Sequence, residues 1–308
     1  MAYLNTIIKG TGSYIPTKVI KNVDFINQDF YDANKEKLDD SGENIIRKFN
    51  EITGISERRY LNDHQTVSDI AFIAAEKAIK NADIDPETID QIIVAHNFGD
   101  VIEGTIQTDN VPSLASRVKH SLKIKNPECV AYDVLFGCPG WIQGVLQADA
   151  YIKAGLGKRF LVIGSEALSR VVDPYDRDTM IYSDGAGACI VEGVMEEEKR
   201  GILSSAVRTD TYEEAYYLFL GESNKPLEDS KIRYIKMHGR KIYEYAISKV
   251  PTAMQAALDK AQINLDQVNK ILIHQANEKM DEAIVKRLYR LNHLQSPEGI
   301  MPLSIQFL

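Results

Sequence analysis

A chain of 308 residues exceeds one ordinary hydrophobic core and points to two domains or one large duplicated α/β unit. Its 44% hydrophobic and 26% charged residues are globular in proportion, no run approaches the roughly 20 apolar residues of a membrane span, and the start Met1-Ala2-Tyr3-Leu4-Asn5-Thr6 lacks the pattern of a signal peptide, so a cytoplasmic protein without a membrane span is expected. A net charge of −8 argues against a general nucleic-acid binder, and Cys129, Cys138 and Cys189 offer neither a C-x-x-C pair nor a histidine at zinc spacing, so neither a disulfide framework nor a metal site is expected.

Residues 4–10 read as a first strand closed by Gly10, Gly12 and Pro16. From Asn22 to Arg59 charged and amphipathic residues predict surface helices, with Thr53-Gly54-Ile55 as a turn. The pairs Arg58-Arg59 and Lys158-Arg159 read as solvated surface. Ser68 to Asn81 places Ile70, Ala71, Ala74, Ala75, Ala78 and Ile79 on one helical face. The unbroken apolar run Ile92-Ile93-Val94-Ala95 predicts a central strand covered on both faces. Val130 to Phe136, Phe160 to Gly164 and Ala188 to Val191 read as further strands, and their alternation with helical segments predicts α/β layers around a mixed, largely buried sheet.

One helix–turn–strand unit recurs. Ala78 through Ala95 aligns without gaps to Ala257 through His274; Ala78/Ala257, Ala82/Ala261, Ile84/Ile263 and Ile92/Ile271 are identical, and Ile93/Leu272 and Val94/Ile273 keep the apolar pattern. A duplicated fold would bring chemistry to the ends of equivalent strands. At that position the first copy has Ala95 and the second His274.

Cys138 stands where the apolar run ending at Phe136 gives way to a helical one beginning near Pro139. A proline suits a first helical turn, whose N–H groups lack partners, so the thiol is expected at the positive end of a helix dipole, where thiolate is favoured. A small buried hydrophobe is the ordinary role of a cysteine. His274, at the predicted end of Ile271-Leu272-Ile273, changes the balance. A nucleophile and an imidazole together suit acyl transfer. A hydrolase elbow of the G-x-S-x-G type is not expected, because Phe136 takes the first glycine position and Pro139 lacks the needed N–H. Trp141, Ile142, Val145 and Leu146 would exclude water from such a site or simply pack a core. His96, one residue beyond the counterpart of His274, reads as a loop residue with a local role.

Five segments in order resemble the thiolase-fold condensing enzymes of the 3-oxoacyl-[acyl-carrier-protein] synthase III family: Thr53 to Arg59, Asp133 to Gly140, Ser169 to Arg177, Ser183 to Ala188, and His274-Gln275-Ala276-Asn277. The resemblance implies an α/β fold of thiolase-like, duplicated αβαβα layers with mixed five-stranded sheets, in halves 1–192 and 193–308 and usually as a homodimer. It implies that an acyl group from acyl-CoA or another acyl thioester passes to Cys138. Malonyl-acyl-carrier protein then loses CO2, and its carbanion attacks the acyl-enzyme, initiating fatty-acid or related polyketide or lipid synthesis. His274 matches the histidine that stabilises charge on the thioester oxygen. Arg177, Arg240 and Asn277 fall where the CoA or phosphopantetheine carrier binds, and no other cofactor and no metal takes part.

The chain departs from the family pattern in three places. The family's third catalytic residue, an asparagine in a Gly-Asn step, has no counterpart in Met301 to Leu308, which read as the strand before it. The second half is thus expected to lack its C-terminal elements, and a non-catalytic or truncated thiolase-fold partner subunit is the alternative. Lys48 or Phe49 stands where an adenine-stacking tryptophan is common, and Arg240 replaces an asparagine, which leaves CoA or a carrier protein open as the acyl donor. Pro139-Gly140-Trp141 is bulkier after the nucleophile than in acetyl-primed relatives. A chain-elongating synthase with two active-site histidines fits less well.

Overall fold

A computed structural model describes residues 2–226 and 231–305. In chain order its elements are β1 (Tyr3–Tyr14), β2 (Lys18–Lys21), α1 (Gly42–Thr53), β3 (Glu57–Tyr60), α2 (Val67–Ala82), β4 (Gln91–His96), α3 (Leu114–Ser121), β5 (Val130–Leu135), α4 (Gly140–Lys153), β6 (Arg159–Ala167), β7 (Asp184–Glu196), β8 (Leu218–Gly221), β9 (Tyr234–Met237), α5 (Gly239–Ala261) and α6 (Glu278–Leu291). Two compact units form. One takes the chain to Lys18, then Arg59–Arg170 and Ser183–Leu203; the other takes Val19–Arg58, Val171–Tyr182 and the chain from Ser204 on. These units are cut differently from the halves 1–192 and 193–308, and residue 192 lies inside β7.

In the first unit a five-stranded sheet runs β1-β7-β6-β4-β5. β4 is parallel to both β5 and β6, while β7 is antiparallel to β6 and β1. Strand alternation divides the apolar residues between two cores. Ile92, Val94, Leu161 and Ile163 pack with residues of α2 and α3. Ile93, Phe160, Val162 and Cys189 face the other way and pack with Val145, Ala148 and Ile152 of α4. Both faces are covered, which is why β4 and β6 carry near-continuous apolar runs.

The first strand is longer than expected. Gly10 and Gly12 lie within β1 and leave room for α2: a Cβ on Gly10 would lie 2.4 Å from the Ala82 nitrogen, and one on Gly12 would lie 2.4 Å from the Ala78 nitrogen. The glycines mark a close approach of strand to helix, where the sequence pattern reads as a stop.

The second unit contains α1, the antiparallel pair β8–β9, and α5 packed on α6. Leu265, Ile271, Val285, Leu288, Tyr289 and Ile300 form its main core. Thr53-Gly54-Ile55 is the expected turn, with Gly54 at φ 77° capping α1. Arg58 corrects the reading of its pair as solvated surface. It is fully buried, donating to the Met180 carbonyl at 3.0 Å, the Ile20 carbonyl at 3.2 Å and Asn22 Oδ1 at 2.6 Å. A guanidinium with acceptors for its donors can be buried where an unpaired charge cannot.

The recurring unit is reproduced locally. α2 ends in a left-handed cap at Asp83 and α5 in one at Gln262, followed by short 3-10 turns at Pro86–Thr88 and Leu265–Gln267. The copies diverge at the strand: Gln91–His96 is β4, whereas Ile271-Leu272-Ile273 is not a strand. Ile271 donates to the Ile300 carbonyl at 2.9 Å, and Leu272 is 85% exposed. An apolar triplet becomes a strand only through a ladder with neighbours. Met301 to Ile305 are likewise not a strand, and Gln306 to Leu308 lie outside the described residues.

Candidate active site

The turn that carries Cys138 begins where β5 stops. Phe136 donates its N–H to the His96 carbonyl at 3.2 Å, crossing toward the end of β4, and Gly140 donates to the Gly137 carbonyl at 2.7 Å. That bond closes a turn around Cys138 and Pro139, with Pro139 as the N-cap of α4. α4 sits low on the sheet because two contacts are glycine: a Cβ on Gly140 would lie 3.0 Å from the Ala95 Cβ, and one on Gly164 would lie 3.0 Å from the Trp141 Cβ. Cys138 is an exposed residue, whereas Cys129 and Cys189 are buried. Val145 is core, Trp141 and Leu146 are half-buried, and Ile142 is 54% exposed.

Desolvation by the protein around the Cys138 sulfur raises its pKa, its own backbone amide pulls it partly back down, and the Glu166 carboxylate adds the smallest contribution, upward. Glu166 stands at the end of β6, next to the end of β4. Its Oε2 accepts from the Asn97 amide at 2.6 Å and from Asn97 Nδ2 at 2.8 Å, while Oε1 is buried without a hydrogen-bond partner among the described residues. Burial raises the pKa of this carboxyl against the lowering effect of Asn97. Neither residue belongs to a motif that sequence alone singles out. The parallel register of β4 on β6 brings together positions 69 apart in the chain.

His96 is the last residue of β4, 2% exposed. Its Nδ1 accepts from the Gly99 amide at 3.0 Å and its Nε2 lies 3.1 Å from Asp133 Oδ2. Ile92 and Val94, at the same parity, face α2 and α3; Ile93 and Ala95 face α4. His96 thus occupies the sheet face opposite α4.

His274 lies in the second unit, exposed, in an irregular segment before α6. Desolvation lowers its pKa, so the imidazole is neutral at neutral pH and can donate or accept a hydrogen bond. Three residues on, Asn277 is the N-cap of α6 and accepts from the Met280 amide at 3.0 Å. Asn277, Arg177 and Arg240 all line a single cavity of about 570 Å3, together with Lys48, Phe49 and Lys279. Lys48 pairs with Asp40 at 2.6 Å and the highly exposed Arg240 with Glu244 at 2.8 Å. The cavity therefore joins an apolar wall at Phe49, Ile52 and Met180 to a charged rim of Lys48, Arg177, Arg240 and Lys279 with the carboxylates of Asp40 and Asp178. Among the described residues there is no group of His, Cys, Asp and Glu able to hold a metal ion, and no helix long and apolar enough to cross a membrane.

The pattern of 3-oxoacyl-[acyl-carrier-protein (ACP)] synthase III matches residues 132–211, which include Cys138 and Arg177. The beta-ketoacyl-[acyl-carrier-protein] synthase III of Paracoccus denitrificans is 33% identical over 288 residues, 92% of this chain and 81% of that protein. The chain belongs to the 3-oxoacyl-[acyl-carrier-protein] synthase III family. The synthase III of Fusobacterium nucleatum is 34% identical over 287 residues, covering 91% of this chain and 80% of its own. Among solved structures, the 3-oxoacyl-[acyl-carrier-protein] synthase III of Aquifex aeolicus matches at 30% identity with a TM-score of 0.78, over 98% of this chain and 85% of that one. The α/β thiolase-like fold implied by the motifs is thus the fold of this synthase III chain. Its first unit displays the layered mixed sheet in full.

Proposed function

We propose that the chain is an acyltransferase that condenses an acyl thioester with malonyl-acyl-carrier protein, initiating fatty-acid synthesis or a related polyketide or lipid pathway. Membership of the synthase III family carries the reaction class; the position of Cys138, on a turn between a partly exposed parallel strand and a glycine-seated helix, supports its role. The Cys138 sulfur attacks the acyl carbonyl and the carrier leaves as its thiol. Malonyl thioester then loses CO2, and the resulting carbanion attacks the acyl-cysteine and releases Cys138. Neutral His274 donates a hydrogen bond to the malonyl thioester oxygen as charge collects there.

Arg177, Arg240 and Asn277 bind CoA or the phosphopantetheine arm of a carrier protein, with Lys48 or Phe49 in place of a stacking tryptophan. We further propose that residues 1–192 and 193–308 derive from the two copies of a duplication, that the enzyme works as a cytoplasmic homodimer, and that it needs no cofactor beyond its acyl carriers. Intact-protein mass spectrometry after exposure to a panel of acyl-CoA and acyl-carrier-protein donors tests the central step. The expected result is one acyl adduct, lost in Cys138→Ala. A folded protein that gains no adduct from any donor overturns it.

A further inference from the structure

We infer that, given the acyl-enzyme reading above, the acyl donor of this chain is borne on the phosphopantetheine arm of a carrier protein, and that Asp178 disfavours CoA. The two carriers present the same pantetheine and differ in charge. A carrier protein holds the arm through one phosphodiester, whereas CoA continues into a diphosphate and a 3′-phosphate. The apolar wall at Phe49, Ile52 and Met180 suits the shared arm, so the charged groups of the cavity decide between the two.

Most of the cationic charge at this cavity already has a carboxylate beside it. Lys48 lies 2.6 Å from Asp40, Arg240 lies 2.8 Å from Glu244, and Arg177 Nε lies 3.9 Å from Asp178 Oδ1. Of the four cations that line the cavity, Lys279 is the one with no ion pair among the described residues. One uncompensated cation matches one phosphodiester. The further phosphates of CoA meet Asp40 and Asp178 as well, and like charges brought together in a partly enclosed site repel.

Asp178 stands where an anion would otherwise be favoured. Its Oδ2 would lie 3.9 Å from a Cβ on Gly239, the first residue of α5, and the first turn of that 23-residue helix carries no acidic residue of its own. Burial and the Asp176 charge oppose ionisation of Asp178, and Arg177 and Lys236 support it. A phosphate that engages Arg177 withdraws that support and leaves a half-buried carboxylate beside a second anion. The adjoining cavity, of about 480 Å3, offers the extra phosphates no better place. It shares Arg177, Asp178 and Met237 with the first, and both lie in the second unit. Asp32, Asp176 and Glu222 line it against Lys35 and Lys236. Lys35 pairs with Glu222 at 2.8 Å, and the buried Lys236 donates to Asp173, Asp176 and Asn224 at 2.5, 3.0 and 2.7 Å. A nucleotide extended in this direction meets net negative charge.

Titration calorimetry of the full chain with CoA and with free phosphopantetheine, at low salt and under reducing conditions, tests the carrier without requiring acylation. Phosphopantetheine is expected to bind at least as tightly as CoA. Asp178→Asn and, separately, Asp40→Asn are expected to tighten CoA by about 3- to 10-fold and phosphopantetheine by less, the gain shrinking as salt screens the charges. Asp178→Glu is expected to keep the wild-type preference. Single-turnover acylation with one acyl group on each carrier is expected to modify Cys138 about tenfold more efficiently from the carrier protein than from CoA. CoA binding tighter than phosphopantetheine overturns the inference, as does an Asp178→Asn affinity for CoA that is unchanged or weaker, or acylation from CoA at equal or higher efficiency. A wild type that binds the two ligands in the expected order but gains no adduct from either donor overturns the acyl-enzyme reading instead.

Discussion

His96 Nε2 lies 3.1 Å from Asp133 Oδ2, and the same carboxylate accepts the Leu114 and Ala115 amides at 2.7 and 2.8 Å. One aspartate thus joins the end of β4 to the start of α3. The histidine is tied to a structural carboxylate on the face away from Cys138, so its place at a strand end does not make it catalytic. Desolvation raises the Asp133 pKa, but His96 and the two amides outweigh it and the net shift is downward.

A carboxylate whose folded pKa is depressed stabilises the fold above its unfolded pKa and loses that contribution as pH falls through the folded value. Asp133→Asn is therefore expected to cost about 1–3 kcal/mol near neutrality. The cost should shrink in acid below the ordinary aspartate range. Urea unfolding at neutral and acid pH checks both statements.

Asp281 is fully buried on the inner face of α6, both of its oxygens lack hydrogen-bond partners among the described residues, and desolvation with the nearby Glu278 charge raises its pKa to about 7. For an acid with a raised folded pKa, stability is greatest below the unfolded pKa and declines as pH rises toward the folded one. Thermal stability should fall between acid and neutral pH from this residue. Asp281→Asn should flatten that dependence and raise the melting temperature at mildly alkaline pH. An unchanged pH profile in the variant contradicts the assignment.

Gly10 and Gly12 are where β1 meets α2, and a Cβ on either would enter the helix backbone. Gly12→Ala is expected to destabilise the first unit by about 1–3 kcal/mol, since overpacking forces a backbone shift. Gly187, whose added Cβ would meet nothing within 4 Å, is the control: alanine there should be close to neutral in the same unfolding measurement.

His274 has its pKa lowered by desolvation, so it stays neutral from neutral pH upward and gains a proton only in acid. His274→Ala is expected to reduce decarboxylative condensation by about 100- to 1,000-fold, the effect of losing one oxyanion donor, while leaving acylation of Cys138 nearly intact. Measuring the two half-reactions separately tells the roles apart. Equal losses in both point to a structural role for the histidine.

Arg177 and Arg240 both line the cavity; Arg177 is 61% exposed and only loosely paired, 3.9 Å from Asp178, whereas Arg240 is 91% exposed and held by Glu244 at 2.8 Å. Arg177→Ala is expected to raise KM for an acyl-CoA by about 3- to 10-fold with little change in kcat, and Arg240→Ala by less, because an exposed ion pair is worth little. Steady-state kinetics with acyl-CoA donors gives both constants.

Much of this protein follows from local sequence. Strands 92–95, 160–164 and 188–191 and the helix around Ile70 to Ile79 are legible because burial on both faces writes unbroken apolar runs and burial on one face writes helical spacing; 130–136 reads as a strand too, although β5 is partly exposed and ends at Leu135. Cys138 and His274 are legible because the residue types and flanking motifs recur together. Ile271 to Ile273 reads as a strand by the same rule and is not one, since ladder pairing is a property of neighbours that the triplet does not itself contain. Arg58 reads as surface because charge is the only signal it carries, whereas its burial depends on Asn22, Ile20 and Met180 supplying acceptors. The sequence alone therefore determined the α/β layers and the family, and it singles out Cys138 and His274 as candidates. Tertiary structure decided that β1 passes through its glycines, that His96 turns to the sheet face opposite α4, and that Glu166 and Asn97 tie the end of β6 to the end of β4, because each depends on strand register and close packing between residues far apart in the chain.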